Sequence, residues 1–348
     1  MDKLISIIIP CYNAENYIDR CFNSIVNQTI GLDKLVVIFV DDCSTDSTWE
    51  HLVEIEKNNQ DSVMIIHLDE NGRQGRARNI AMEYVTTEYV SFLDADDFID
   101  SDMYECLYNP MITGNYDFTM CNFWRDGGNI DYTKWPKVTG IGDRHFVIDT
   151  EEKRKIFICC MSVGSTVWGK LYKTEFLTNH NICFVEGYTY EDHMFMMLIY
   201  LYAENILVID NRCYHYFVNT QSTVLMPESK HHFDTITVDN MTWDECERRG
   251  FLDKYREELE CYFLLLSYLA PLKVISYRYE IPPYDFYLQL REDTLRKIPK
   301  YETNKYINEY FTDFHRAILE TLKYDISERE FLEICKAIRQ KYGEETLG

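Results

Sequence analysis

The 348-residue chain has no C-x-x-C pair, no apolar run of membrane-spanning length and a shortage of basic residues. Each absence excludes something. Twelve cysteines whose only close pair is Cys159-Cys160 do not read as a disulfide framework, because adjacent cysteines rarely bridge; reduced thiols in a cytosol are expected. The opening apolar run, Met1–Pro10, is too short for a secretory core and lacks a basic flank. The expected location is therefore cytoplasmic, with the inner face of the membrane left open. The longest apolar runs, Met194–Tyr202 and Cys261–Leu272, fall short of the ~18 residues that argue a span, and Pro271 and Lys273 close the second. Both read as core helices, the second also as a candidate patch for an oligomer or a membrane. With 35 Lys and Arg against 58 Asp and Glu, the net charge is −23. Nucleic acid and anionic surfaces are poor partners for such a chain. A phosphate-bearing substrate would need a metal or a local arginine cluster. Internal repeats and low-complexity tracts are also missing.

What is present is enough apolar sequence (46% hydrophobic, 15% aromatic) for a sizeable core, and length alone suggests two domains. Leu4–Ile9, Leu35–Val40, Val63–Leu68 and Tyr89–Leu93 read as buried strands. Helical spacing separates them: Tyr17, Ile18, Cys21, Phe22 and Ile25, capped by Asn13; then a helix to about Asn58 capped by Ser44 or Asp46; then Ala77, Ile80, Ala81 and Tyr84. This rhythm implies an α/β fold with a mostly parallel sheet. Beyond Asp100 it loosens. Tyr116–Phe123, Thr166–Tyr172, Ile206–Ile209 and Arg212–Val218 read as strands, Thr150–Cys160 and Asp192–Ala203 as helices, and Asp126–Gly142 as a long loop. From about Pro227 the segments are long, charged and rich in Leu and Tyr, without strand signals. We expect a first domain over 1–226, its nucleotide half at about 1–100 and its acceptor half at about 101–226, followed by a helical domain over 227–348.

The chemistry gathers where strands end. Tyr89-Val-Ser-Phe-Leu runs into Asp94, Ala95, Asp96 and Asp97, and strand ends in open α/β sheets border the ligand crevice. Asp94 and Asp96, two apart, can point the same way, and hard oxygen ligands suit Mg²⁺ or Mn²⁺. An acidic turn after a core strand is the plainer alternative. The first strand leads into Pro10-Cys-Tyr-Asn and not G-x-G-x-x-G, which argues against a dinucleotide fold. Ile99 stands where an EF-hand loop needs glycine.

Five segments, in order, resemble the family-two glycosyltransferases of the GT-A fold: Ser6-Ile-Ile-Ile-Pro-Cys-Tyr-Asn-Ala-Glu15, Val40-Asp-Asp-Cys-Ser-Thr-Asp-Ser-Thr48, Asn71-Gly-Arg-Gln-Gly-Arg-Ala-Arg-Asn79, Phe92-Leu-Asp-Ala-Asp-Asp97 and Tyr190-Glu-Asp-His193. The resemblance covers roughly residues 4–220. It implies a GT-A domain, Rossmann-like with flanking helices and followed here by the helical region, that moves a sugar from a UDP-sugar donor to an acceptor hydroxyl with inversion. It places the nucleotide at Pro10, Tyr12, Asn13, Glu15, Asp42, Asn71, Arg78, Asp94 and Ala95. Tyr12 could instead be a core residue, Glu15 part of a helical turn, and Asp42 a helix cap. The metal, Mn²⁺ or Mg²⁺, goes to Asp96 and Asp94, with Asp97 in reserve and His215 a further candidate that could equally be packed core. Asp192 is implied as the base and Glu191 as the residue that orients acceptor or sugar; a cap-only role is the alternative for Asp192. Trp168 and Lys170 are implied on the acceptor side, Trp168 stacking on a sugar or filling core. The expected acceptor is a bacterial surface glycan: capsule, lipid-linked oligosaccharide, teichoic acid or glycoprotein chain. Peripheral membrane association and a homodimer through the C-terminal helices are left open. The rival readings are a sugar-nucleotide-binding scaffold without turnover and a nucleotidyltransferase releasing pyrophosphate.

Overall fold

The structure, a computed structural model, describes residues 2–127, 136–219 and 225–342. The packing makes two units: 1–149 with 163–219, and 150–162 with 220–348.

The first unit is built on one mixed sheet. Its early strands are β1 (Ile5–Cys11), β2 (Leu35–Asp41), β3 (Val63–His67) and β4 (Tyr89–Phe92). They pair in parallel in the order β3-β2-β1-β4, as the strand-helix rhythm predicts. Both faces are covered, so β1 and β4 are buried throughout. The helices between them are α1 (Ile18–Val26), α2 (Thr48–Asn58) and α3 (Arg73–Met82). β1 runs past Pro10 to Cys11, pairing Pro10 with Val40 and Cys11 with Asp41. Asn13 does not cap α1, which starts five residues later. It adopts φ +50°, and its Oδ1 accepts from Thr45 N–H at 2.8 Å. Neither Ser44 nor Asp46 is the cap of α2: Ser47 holds that position without a side-chain cap bond, and Asp46, one residue earlier, accepts from Thr48 N–H at 3.0 Å.

Beyond β4 come the two-residue β5 (Phe98–Ile99), α4 (Met103–Thr113), β6 (Phe118–Asp126), β7 (Arg144–Val147), β8 (Lys170–Lys173), α6 (Thr174–Asn179), α7 (Asp192–Tyr202) and β9 (Asn205–Phe217). The sheet continues β4-β8-β6-β9-β5, with β7 on β9. The two strands expected over 206–218 are one strand. The polar residues Asp210–Arg212 look like a break, but register shifts around Asn122 of β6 absorb them. Of the loop expected over 126–142, residues 128–135 lie outside the described residues; Val138 forms a bridge with Asn211.

The second unit is helical: α5 (Glu151–Cys160), α8 (Asp234–Arg248), α9 (Phe251–Phe263), α10 (Ala270–Arg278), α11 (Tyr284–Lys297), α12 (Lys305–Tyr310), α13 (Asp313–Leu319) and α14 (Glu328–Tyr342). Pro271 does not close the apolar run, as the sequence suggests. A π-turn over Leu264–Leu269 carries α9 into α10, where proline falls in the first turn and needs no N–H partner. Phe251–Arg278 is thus long and apolar enough to cross a membrane by length and composition, and most of its apolar window is buried.

In the first unit, Phe92 sits edge-on to Phe184, Phe195 and Tyr172, with ring centroids 5.2, 5.5 and 5.9 Å away. Removing that fully buried ring in Phe92→Ala is expected to cost about 3–5 kcal/mol in urea unfolding.

Candidate active site

The acidic turn after β4 lies against the far end of β9. Asp97 is buried, and both its oxygens are committed: Oδ1 accepts from Phe217 N–H at 2.7 Å and Oδ2 from the Tyr214 hydroxyl. Burial and its two acidic neighbours push its pKa up; those two donors oppose the shift. Asp97 therefore holds the turn in place. Asp96 is more open. Its Oδ2 accepts from Asn219 Nδ2 at 3.3 Å, and burial, then Asp94, pushes its carboxyl up to about 6. Its main-chain oxygen accepts from Arg20 at 2.6 Å, and that guanidinium lies over Phe98 and Phe217, 4.7 and 4.4 Å from their centroids.

Arg78 occupies the centre of the site, fully buried on α3. It donates through Nη2 to Asp94 Oδ1 at 2.7 Å and through Nη1 to Glu191 Oε1. Burial alone would lower its pKa; the two carboxylates reverse that and keep it charged. Both terminal nitrogens thus face carboxylates of the chain itself, each through one N–H.

The rest of the third signature cradles the segment that ends in Glu191. Asn79 pairs twice with the Phe184 backbone, donating to its oxygen and accepting from its N–H, each at 3.0 Å. Gly187 N–H donates to Gly72 O at 3.1 Å, and Arg73 reaches the Thr189 hydroxyl at 3.3 Å. A Cβ on Gly75 would stand 2.0 Å from Val185 O, so only glycine permits this approach. The roles of Gly75 and Asn79 were missed in the sequence, whose only signal was a Gly and an Asn at fixed offsets around Arg78.

Asp192 is the first residue of α7, where the helix dipole favours a carboxylate. Its carboxylate accepts no hydrogen bond among the described residues, in contrast to Glu191. Burial pushes its pKa up to about 6; His193 and Arg78 oppose that, and Glu191 and Asp94 add to it.

The other expected residues are placed as follows. Tyr12 and Asn13 are exposed, and Pro10 and Ala95 are buried. Glu15 accepts from Ser47 N–H at 3.0 Å. Asp41 is fully buried against His67, 2.7 Å away. Asp42 is nearly as buried, but accepts from Gly72 N–H at 2.8 Å, and Asn71 donates to its main-chain oxygen at 3.1 Å. Burial raises the Asp42 pKa, and the N–H groups of Gly72 and Arg73 oppose this. His215 is committed elsewhere: Nε2 lies 3.0 Å from Asp100, and the ring stacks on Phe98 at 4.2 Å. Lys170 is fully buried, and its amine donates to Thr166 O, so the expected acceptor contact is replaced by an internal one. Burial lowers its pKa to about 7. Trp168 stacks flat on Tyr214, 4.4 Å away.

Arg78→Met would leave Asp94 and Glu191 without their shared cation. Removing one member of such a buried set is expected to cost about 3–5 kcal/mol of unfolding free energy, read by urea titration near neutral pH.

Residues 6–166 match the family described as glycosyl transferase family 2. Among curated proteins, the chain is 32% identical over 215 residues to a poly(ribitol-phosphate) beta-glucosyltransferase of Bacillus spizizenii, covering 62% of this chain and 32% of that protein. It is 28% identical over 233 residues to glycosyltransferase GlyA of Streptococcus pneumoniae, covering 64% and 32%. The chain thus spans about a third of the length of these relatives. A crystal structure of Staphylococcus aureus TarS 1-349 superposes with a TM-score of 0.68 over 97% of this chain and 91% of that one, at 20% identity. That likeness shows the GT-A fold with its helical region. Residues 6–166 thus match glycosyl transferase family 2, and the fold is that of TarS 1-349.

Proposed function

We propose that the first unit transfers a sugar from a UDP-sugar to an acceptor hydroxyl with inversion, with Asp192 as the base. The observation that carries this is the contrast between two adjacent carboxylates. Glu191 is locked to Arg78, while Asp192 is uncommitted and has a pKa near 6. A base poised there is ionised at neutral pH and still able to take a proton. Asp192 takes the acceptor proton as the hydroxyl oxygen bonds to the anomeric carbon. The bond from that carbon to the diphosphate oxygen breaks on the opposite face, and UDP leaves. Glu191, held by Arg78, fixes the start of α7 and so the aim of Asp192. Tyr12, exposed beside β1, offers a ring for the base, and Asp42 and Asn71 border the same strand ends. UDP as carrier is supported by a TarS structure described as a complex with UDP-GlcNAc.

Asp94 and Asp96 fit a divalent cation. Asp94 gives one oxygen to Arg78 and Asp96 one to Asn219, which leaves each a second oxygen. Burial and then the Asp94 charge raise the Asp96 pKa, and a cation would relieve both. A bound Mn²⁺ or Mg²⁺ would offset charge growing on the departing diphosphate. His215, paired with Asp100, is left out of this set.

The relatives named for poly(ribitol-phosphate) and other glycan transfer support a bacterial surface polymer as the acceptor class. Membrane docking or dimerisation through the helical unit remains a proposal that truncation near Met226 tests.

Asp192→Asn is expected to keep UDP binding and lose about 10²–10⁴-fold in transfer rate. In the native enzyme kcat/KM falls as pH drops below about 6, following the raised pKa. Stability has the opposite sign. A carboxyl with a raised folded-state pKa stabilises the fold at low pH and loses that contribution as pH rises through about 6. Asp192→Asn should therefore melt higher than the native chain at about pH 8 and no higher at about pH 4. Separately, Asp96→Ala should abolish any Mn²⁺-dependent gain in UDP affinity by calorimetry; an unchanged gain would move the metal elsewhere.

A further inference from the structure

We propose that Asp102, Cys106 and Cys213 form a second metal site, separate from the acidic turn, that takes a thiophilic divalent ion of the Zn²⁺ class and staples α4 to β9. Neither the family match nor the transferase reading assigns it, and its test does not depend on sugar transfer.

Three observations carry it. First, a carboxylate oxygen of Asp102 and the sulfurs of Cys106 and Cys213 all lie within 4.8 Å of one another, the one such set among the described residues. Asp102 is the N-cap of α4 and makes no cap bond with its side chain. Cys106 follows one helical turn later, on the same face. Second, a break in register aims the third ligand. Asn122 of β6 pairs with Arg212 and Phe123 with Tyr214, so Cys213 is the extra residue of a bulge. Bulges re-aim a side chain, and the Cys213 thiol is fully buried in contact with those of Cys106 and Cys121. Third, the outer partners of a metal site are in place. Asn211 Nδ2 donates to Cys106 Sγ at 3.8 Å. Lys137 Nζ donates to the two Asp102 oxygens at 2.8 and 2.7 Å, and Lys137 O accepts from Arg212 N–H at 2.7 Å, which anchors it to β9. Partners of this kind fix the orientation of a ligand and tune its basicity.

The donor set decides the ion. Two sulfurs with one oxygen suit Zn²⁺ and disfavour Mg²⁺, Mn²⁺ and Ca²⁺. With metal–sulfur bonds of about 2.3 Å and a metal–oxygen bond of about 2.1 Å, tetrahedral ligands stand about 3.6–3.8 Å apart. Rotation of the side chains thus has about 1 Å to close at most. Water takes the fourth position. Binding forms two metal–sulfur bonds and one metal–oxygen bond, and the two thiol protons leave to solvent. Two thiolates, the carboxylate, the divalent ion and the Lys137 ammonium then sum to zero charge. Asp102 and Cys106 are partly exposed, which gives the ion a way in. Tyr214, next after Cys213, donates to Asp97, and Asp100 N–H donates to Cys213 O at 2.8 Å. An ion here therefore braces the acidic turn from behind.

The test uses the full chain, reduced and stripped of metal, with Mg²⁺ in excess to fill the acidic turn. Co²⁺ is the probe, because a cobalt–thiolate bond gives a near-ultraviolet charge-transfer band that carboxylate ligation does not. One equivalent of Co²⁺ should raise the band, and Zn²⁺ should bleach it. Cys106→Ser should cut the band to about half, since one of two sulfurs is lost. Asn211→Ala, which removes only the partner of a ligand, should weaken Zn²⁺ binding by about 10–100-fold. Asp102→Asn should weaken it at least as much. Cys160→Ser changes an exposed thiol of the second unit and should alter nothing. No band in the native chain, a band untouched by Cys106→Ser and Asp102→Asn, or a band lost in Cys160→Ser overturns the site. Where Cys106→Ser fails to fold, the affinities of Asp102→Asn and Asn211→Ala decide, and native affinity in both overturns it. A Cys106–Cys213 disulfide in the unreduced chain, with no band after reduction, overturns it in favour of a redox pair.

Discussion

The site depends on one buried cation. Arg78 leaves α3 and joins a carboxylate from the end of β4 to another from the segment before α7. A guanidinium suits this place because its charge survives burial and its fork presents two donors at fixed geometry. Without it, two carboxylates would face each other out of water, and one would have to take up a proton. The arrangement sorts the acidic residues by availability. Asp97 and Glu191 are consumed by internal partners, while Asp94 and Asp96 keep oxygens in reserve and Asp192 keeps both.

This sorting explains how so acidic a cluster can be held in the first unit. Each fixed carboxylate has a specific donor: Phe217 N–H and the Tyr214 hydroxyl for Asp97, Arg78 for Glu191 and Asp94. Asp96 and Asp192, less firmly held, have pKa values displaced upward by burial and by acidic neighbours. Ligand chemistry has room only where the fold has not already satisfied the group.

Much of this was legible in the sequence. Strand-helix alternation located the parallel strands and the side of the sheet where Asp42, Asp94 and Asp96 emerge, because period and chain polarity are local properties. The five ordered motifs located Arg78, Glu191 and Asp192. What could not be read was which of them meet. Glu191 stands 113 positions from Arg78, and no local pattern encodes that pairing. Lys170, implied on the acceptor side, is fully buried with its amine on Thr166 O, a burial that no local pattern encodes. His215 meets Asp100, 115 positions away, and stacks on Phe98 just before it, so both contacts are beyond any local pattern. Pro271 looked like a terminator because a one-dimensional reading does not anticipate a π-turn that frees the ring from its missing N–H.

The double hydrogen bond from Asn79 to the Phe184 backbone has a consequence for how such chains diversify. It keys two pieces 105 positions apart directly to one another, side chain to main chain. Loops threaded between them, outside the strands and the acidic turn, can lengthen, shorten or change composition so long as the chain returns to that lock. Variation in what is recognised can therefore accumulate in those loops while the reactive carboxylates stay in alignment.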